Sequence, residues 1–340
     1  MCGFAGFWTT VADRGDSNAV ATAMASRIAH RGPDDTGVWS DVDAGIALAH
    51  RRLAIVDLSA AGHQPMLSAS GRWVLVYNGE VYNHLELRKQ LESTGAAPNW
   101  RGHSDTESLL ACIEAWGVDE TLKRSVGMFA LALWDGRERA LWLARDRIGE
   151  KPLYYGWQGD TFLFGSELKA LRAHPTFQTA VDRGALALLL RHNFVPGPYS
   201  IYQGIHKLPP GTWMKLGAGQ RDVQPVRYWS LAEVAERGAA NPFTGSDVEA
   251  LDALERVMGN AVRGQMMADV PLGAMLSGGI DSTLVTALMQ ARSSRPVRTF
   301  TIGFHEKEYD EAGYAHAIAA HLGTEHTELF LTANDALALI

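Results

Sequence analysis

The sequence predicts two unlike halves, a strand-rich α+β part followed by a parallel-sheet α/β part. Three observations carry that expectation. Up to about residue 200 the chain holds short apolar runs of strand length separated by polar or glycine turns. After Gly245 the rhythm changes to strand, helix, strand, helix. Between the two, Gly217 to Gly245 is rich in Gly, Ala, Arg and Gln, the composition of a connection.

Each element has its own signal. Gly45 to Ala49, Trp73 to Tyr77, Phe129 to Trp134 and Leu141 to Ala144 read as strands, with Asn78-Gly79 and Asp135-Gly136 as turns after them. Ser104-Asp-Thr-Glu107 fits a capping box, and Leu109, Cys112, Ile113 and Trp116 follow at helical spacing up to a stop at Gly117. Composition shifts at Pro196-Gly-Pro198 and at Leu208-Pro-Pro-Gly211. Ser246-Asp-Val-Glu249 opens a further helix with Leu251, Leu254, Met258 and Ala261 on one face. Pro271 to Leu276 reads as a strand, followed by a glycine turn and a helix from about Ser282. Val297 to Ile302 reads as the next strand and Ala312 to His321 as the next helix. The closing apolar run Ala336 to Ile340 has no helix stop, so this second part is expected to be cut short.

Composition narrows the function classes. The 340 residues are 46% hydrophobic and 20% charged, with a mean hydropathy of -0.09, the profile of a globular chain with ordinary cores. A net charge of -7 argues against general binding to nucleic acid or anionic membranes. No apolar run approaches the ~20 residues that span a bilayer. Two cysteines, Cys2 and Cys112, make no disulfide framework, and a reducing cytoplasm is expected. The twelve histidines show no metal-ligand spacing, so no protein-held metal is expected.

Two stretches point to chemistry on their residues alone. Ser277-Gly-Gly-Ile-Asp-Ser282 sits between a predicted strand and a predicted helix, so its backbone N–H groups and the helix dipole converge on one spot. That suits phosphate, although it equally suits a plain tight turn with Asp281 as a first-turn acid. The chain opens Met1-Cys-Gly-Phe-Ala-Gly-Phe-Trp8. Once Met1 is removed, Cys2 carries a thiol beside a free α-amine whose ordinary pKa is ~7.7–8.0, so the residue supplies its own base.

The motifs taken together resemble a known family. The opening octapeptide, His30-Arg-Gly-Pro-Asp34, His50 to Asp57, Tyr77 to Asn83 and Gly102 to Glu107 resemble a class II glutamine amidotransferase domain. Asp146 to Tyr155, Ser166 to Ala170 and Lys207 to Gly211 narrow the resemblance to the glutamine-hydrolysing asparagine synthetase family. The loop Ser277 to Ser282 and the strand Thr299 to Gly303 resemble the pyrophosphate loop and second strand of the ATP pyrophosphatase group. The resemblance implies an N-terminal-nucleophile αββα sandwich over 2–212, a connection over 213–245, and the N-terminal part of a synthetase domain over 246–340.

It also implies roles. Cys2 would be the nucleophile, with Asn78 and Gly79 donating to the oxyanion. Arg52, Ile55, Asn78, Gly79, Glu80 and Asp105 would bind glutamine, Arg52 at its carboxylate and Asp105 at its ammonium. Leu276, Ser277, Gly278, Gly279, Asp281, Ser282, Ile302 and Gly303 would bind ATP, which brings Mg²⁺ with it. The implied activity is glutamine-dependent asparagine synthesis: ammonia from glutamine attacks an aspartate adenylate. The same machinery acting on another carboxylate, such as a sugar acid, is the alternative. The implied partners are these small molecules, with no nucleic acid or membrane; a homodimer is left open. Cys112 is expected in a core.

Overall fold

A computed structural model gives the fold, and it describes residues 2–10, 15–306, 308 and 310–338. The chain divides between Asn241 and Pro242 into two compact units. The expected processing of Met1 concerns a residue outside those described.

The first unit begins with β1 (Gly3–Thr9), α1 (Ser17–Ser26), β2 (Asp35–Asp41) and β3 (Ile46–Arg52). Next come β4 (Met66–Leu67), β5 (Trp73–Val81), α2 (His84–Ser93), α3 (Asp105–Trp116) and α4 (Val118–Arg124). Then follow β6 (Gly127–Asp135), β7 (Ala140–Arg145), β8 (Tyr154–Gln158), β9 (Thr161–Gly165), α5 (Leu168–Leu171) and α6 (Arg183–His192). The unit closes with β10 (His206–Lys207), β11 (Thr212–Leu216), β12 (Val226–Arg227) and α7 (Leu231–Ala240).

These strands make two six-stranded antiparallel sheets, ordered β10-β8-β9-β1-β3-β2 and β12-β11-β7-β6-β5-β4. Strand β1 shows why the sheets stack. Phe4 and Trp8 face a core shared with Val74 and Val76 of β5 and Trp134 of β6, whereas Ala5 and Phe7 face Ala21, Met24 and Ile28 around α1. A strand buried on both faces reads as a continuous apolar run rather than an alternating one, so Gly3–Thr9 carries no strand signature of its own. On the far side, Leu75 and Tyr77 of β5 pack on Leu87, Leu109 and Leu122 of α2, α3 and α4. Helix, sheet, sheet and helix are the four layers of the expected sandwich. Cys112 is fully buried in the third of these cores.

Two expectations are corrected. Asn78 and Gly79 are no hairpin turn: β5 runs through them and pairs with β6 at Asn78↔Ala130 and Gly79↔Phe129. The continuous register from Trp73 to Val81 leaves no room for a reversal there. The stretch 213–245 is not all connection, because Trp213 to Leu216 pairs with β7 in register as part of β11.

The second unit contains α8 (Asp247–Gln265), β13 (Gly273–Met275), α9 (Ile280–Gln290), β14 (Arg298–Phe304), α10 (Ala312–Leu322), β15 (Glu325–Leu331) and α11 (Ala333–Leu337). Both halves of the Ser246–Glu249 capping box form at α8. The three strands are parallel in the order β13-β14-β15, as two consecutive strand–helix–strand units require. Strand β15 carried no separate sequence signal, since Glu325 to Leu331 mixes charged and apolar residues. Among the described residues no helix is long and apolar enough to cross a membrane.

Candidate active site

Cys2 stands just before β1, and several bonds fix that position. The backbone on either side of β1 is laddered to β3 and β9. Phe4 N–H donates to Ser166 Oγ (3.1 Å), and Ser166 N–H donates back to the Phe4 carbonyl (2.9 Å). The Cys2 carbonyl accepts from Arg31 (3.4 Å), itself ion-paired with Glu167. Leu53 N–H donates to Cys2 Sγ at 3.3 Å. Burial pushes the thiol above its ordinary pKa, with the Leu53 bond opposing the shift, so Cys2 needs a base to become a thiolate. His50 is not that base. Its Nε2 is committed to the Tyr77 carbonyl (3.0 Å), and burial brings its pKa down to about 4.

Strand β5 supplies the opposite wall. Alternation puts Asn78 and Glu80 on the face of Val74 and Val76, which looks toward the sheet that carries Cys2. Asn78 is 1% exposed, and its Nδ2 has no hydrogen-bond partner among the described residues. A buried donor left unpaired costs ~1–3 kcal/mol, which an acceptor on a bound ligand or a water would recover. Gly79 adds a backbone donor. The N–H groups of Tyr77 and Val81 leave the sheet edge to meet Gln64 Oε1 (2.7 Å) and Asp105 Oδ2 (2.9 Å). Gly79 N–H lies between them on the same edge and faces the cleft.

Two charged poles close the cleft. Arg52, 7% exposed at the end of β3, is oriented by the carbonyls of Ser59 (3.0 Å) and Asp57. Asp105 opens α3, where the helix dipole favours a carboxylate. It accepts from Tyr77 Oη (2.9 Å), Val81 N–H (2.9 Å) and Thr106 N–H (2.8 Å). Burial nevertheless holds its pKa above the usual aspartate value. Ser104 caps α3 through Glu107 N–H (3.2 Å), but the reciprocal half of the predicted box is absent. The Glu107 carboxylate instead takes the N–H groups of Arg101 and Gly102.

Cys2, Arg52, Ile55, Asn78, Gly79, Glu80 and Asp105 thus line a single cleft. Residues that sequence reasoning passed over join them, notably Gln64, Tyr77 and Lys151. Lys151 is 5% exposed, and its loop is folded around the buried Asp146, which accepts from the N–H groups of Gly149 (2.6 Å), Glu150 (2.9 Å) and Lys151 (3.0 Å). Burial raises the Glu80 carboxyl and lowers the Lys151 amine, while the opposite charges of the two resist both shifts. Gln64 and Tyr77 were hidden because their roles come from side chain-to-strand bonds across long loops. Tyr77 and Lys151 at least lay inside motifs that carried the resemblance.

In the second unit, Ser277 to Ser282 joins β13 to α9 at the carboxyl end of the parallel strands, where ligands of such sheets bind. Gly278 has φ +82°, and a Cβ there would come within 2.8 Å of Tyr314 Cβ. No side chain caps α9, so its first N–H groups are available to an anion. Ser277 Oγ and Ser282 Oγ meet at 3.1 Å, and Ser282 Oγ also reaches the Gly279 carbonyl (3.2 Å). Ile302 and Gly303 lie at the same end of the sheet, on β14. The Leu276 side chain is buried against Ala315 and Ala319 rather than turned to solvent. No group of three or more His, Cys, Asp or Glu that could hold a metal occurs among the described residues.

Comparison with known proteins gives the family. Residues 1–229 match a family profile described as a glutamine amidotransferase domain, and residues 253–340 match one described as asparagine synthase. The chain belongs to the glutamine-hydrolysing asparagine synthetase family. A Mycobacterium tuberculosis (strain ATCC 25618 / H37Rv) relative, provisionally named a glutamine-hydrolysing asparagine synthetase, is 36% identical over 356 residues, covering 100% of this chain and 53% of that one. Bacillus subtilis (strain 168) asparagine synthetase [glutamine-hydrolyzing] 3 is 30% identical over 353 residues, covering 98% and 55%. The chain therefore spans about half the length of these family members. Among solved structures, a B. subtilis glutamine phosphoribosylpyrophosphate amidotransferase complexed with ADP and GMP matches with a TM-score of 0.51. At 15% identity, covering 99% of this chain and 92% of that one, this likeness shows the fold alone.

Proposed function

We propose that Cys2 hydrolyses glutamine and that the nitrogen passes to an ATP-activated carboxylate, the side chain of aspartate, to give asparagine. The observation that carries the reading is the unpaired, buried Asn78 Nδ2 beside Gly79 N–H, across the cleft from the thiol. With Met1 gone, the Cys2 α-amine takes the thiol proton. The thiolate attacks the carboxamide carbon, and the carbonyl oxygen becomes an oxyanion that receives Asn78 Nδ2–H and Gly79 N–H. One such donor is worth ~10²–10³ in rate. The proton held on the α-amine goes to the departing nitrogen, ammonia leaves, and water hydrolyses the thioester to glutamate. Arg52 and Asp105 hold the α-carboxylate and α-ammonium, so the γ-carboxamide is the group delivered to sulfur.

In the second unit, the uncapped start of α9 and the Gly278-Gly279 turn fit the phosphates of ATP, with Mg²⁺ arriving on the nucleotide. The carboxylate oxygen would displace pyrophosphate from the α-phosphorus, and ammonia would then displace AMP from the acyl carbon. That relatives are named asparagine synthetases supports aspartate as acceptor. Both thiols are free, which fits a cytoplasmic setting.

The test is glutamate release from glutamine without ATP. Cys2→Ala is expected to abolish it, at least 10³-fold, while Cys112→Ala, in the core, retains it. Unchanged release in Cys2→Ala would refute the reading. For the second half, AMP formation that depends on aspartate, glutamine and ATP is expected of the complete gene product.

A further inference from the structure

We infer that Asp57 is the positioning residue that sets the spacing between the two charged poles of the cleft, and so the affinity for the α-amino acid end of the substrate. The inference rests on the glutamine reading above. Asp57 does not line the cleft. It sits behind it, 1% exposed, in the loop between β3 and β4, with the left-handed backbone value φ +57° that non-glycine residues seldom adopt.

Its two ends reach different walls. The Asp57 carbonyl accepts from Arg52 Nη2, and the Ser59 carbonyl, two residues on, accepts from Arg52 Nη1 (3.0 Å). The Asp57 carboxylate makes that loop rigid, since Oδ1 accepts from Ser59 N–H (3.1 Å) and Ser59 Oγ (2.5 Å). Its other oxygen, Oδ2, crosses to the α3 side and accepts from His103 N–H at 2.8 Å, two residues before Asp105. One side chain therefore ties the support of the cationic pole to the lead-in of the anionic pole.

The neighbours are cut to fit this bridge. A Cβ on Gly102 would lie 2.0 Å from Asp57 Oδ2, and one on Gly62 would lie 2.0 Å from Arg52 Nη2. A side chain at either place would push the two poles apart or turn the guanidinium. An amino acid held at both ends tolerates little error in that spacing, because each charged hydrogen bond weakens steeply outside ~2.7–3.2 Å.

Asp57→Asn is the discriminating variant. Asparagine keeps the shape and tolerates the left-handed conformation. With its carbonyl oxygen kept on Ser59, however, its amide nitrogen would face His103 N–H and cannot accept. The expected result is a glutamine KM raised about tenfold, the equivalent of about 1.4 kcal/mol, with kcat within about threefold of wild type. Alkylation of Cys2 by iodoacetamide, which needs neither pole, is expected to proceed at the wild-type rate. If Asp57→Asn does not fold, Gly102→Ala presses on the same oxygen from the other wall and is expected to raise KM likewise. A KM within twofold of wild type, or a fall in kcat and alkylation rate with KM unchanged, would overturn the inference. Wild-type chain that releases no glutamate would instead sink the glutamine reading itself.

Discussion

The cleft around Cys2 and the Ser277–Ser282 loop are built on opposite plans. The cleft is assembled from β1, β3, β5, α3 and three loops, and nearly every polar group in it is braced by another element. The loop is one strand-to-helix turn whose serine hydroxyls bond within the turn itself, Ser277 Oγ to Ser282 Oγ at 3.1 Å and Ser282 Oγ to the Gly279 carbonyl at 3.2 Å. In the cleft, Asn78 is 1% exposed and Arg52 and Asp105 are 7% exposed. In the loop, Ser277, Gly279 and Asp281 are exposed. The difference fits the chemistry proposed for each. An acyl transfer through an oxyanion needs fixed dipoles in a dry site, whereas phosphates bind well to backbone N–H groups and a helix end at a surface.

The sharpest way to break the contrast is Asn78→Ala. If the amide is a preorganised oxyanion donor, kcat for glutamate release falls ~10²–10³-fold. Because Nδ2 has no partner among the described residues, the thermal midpoint is expected to stay level or rise. A large drop in the midpoint with kcat preserved would make Asn78 a structural residue of β5.

Acidification gives a smaller, graded effect. Burial holds Asp105 above the usual aspartate range, so it loses its charge at a higher pH than an ordinary carboxyl. On the proposed reading the charged form binds the ammonium, so affinity is present above that pKa and lost below it. Glutamine KM is expected to rise as pH falls through the acidic range, beginning at a higher pH than for an ordinary aspartate. A flat KM over that range would show that Asp105 does not meet the ammonium.

The smallest effect on the cleft is expected from the other unit. Gly278→Ala forces a side chain into φ +82° and against Tyr314, and is expected to weaken Mg-ATP binding about tenfold. ATP-independent glutamate release should stay within twofold of wild type. Loss of release in this variant would mean that the cleft depends on the loop.

How much of this was legible in the sequence depends on the range of the interaction. The cap at Ser246, the helix α3 and the glycine turn at Ser277 are local devices, and local spacing reveals them. Asn78-Gly79 reads locally as a turn, and only pairing with Ala130 and Phe129, about fifty residues away, makes it strand. Strand β1 carries no signature for another reason: burial on both faces erases alternation. The seven cleft residues named from the motifs do converge, yet Gln64, Tyr77, Lys151 and Asp57 act through bonds that no spacing rule encodes. Asp57 lay within the stretch His50 to Asp57, but nothing in it announces a bond to His103.

Mass spectrometry after treatment with a diazo ketone analogue of glutamine tests the central claim most directly. The account predicts a single adduct on a peptide that begins at Cys2, blocked by excess glutamine and absent in Cys2→Ala. An adduct on Cys112, or full labelling of chains that retain Met1, would contradict it.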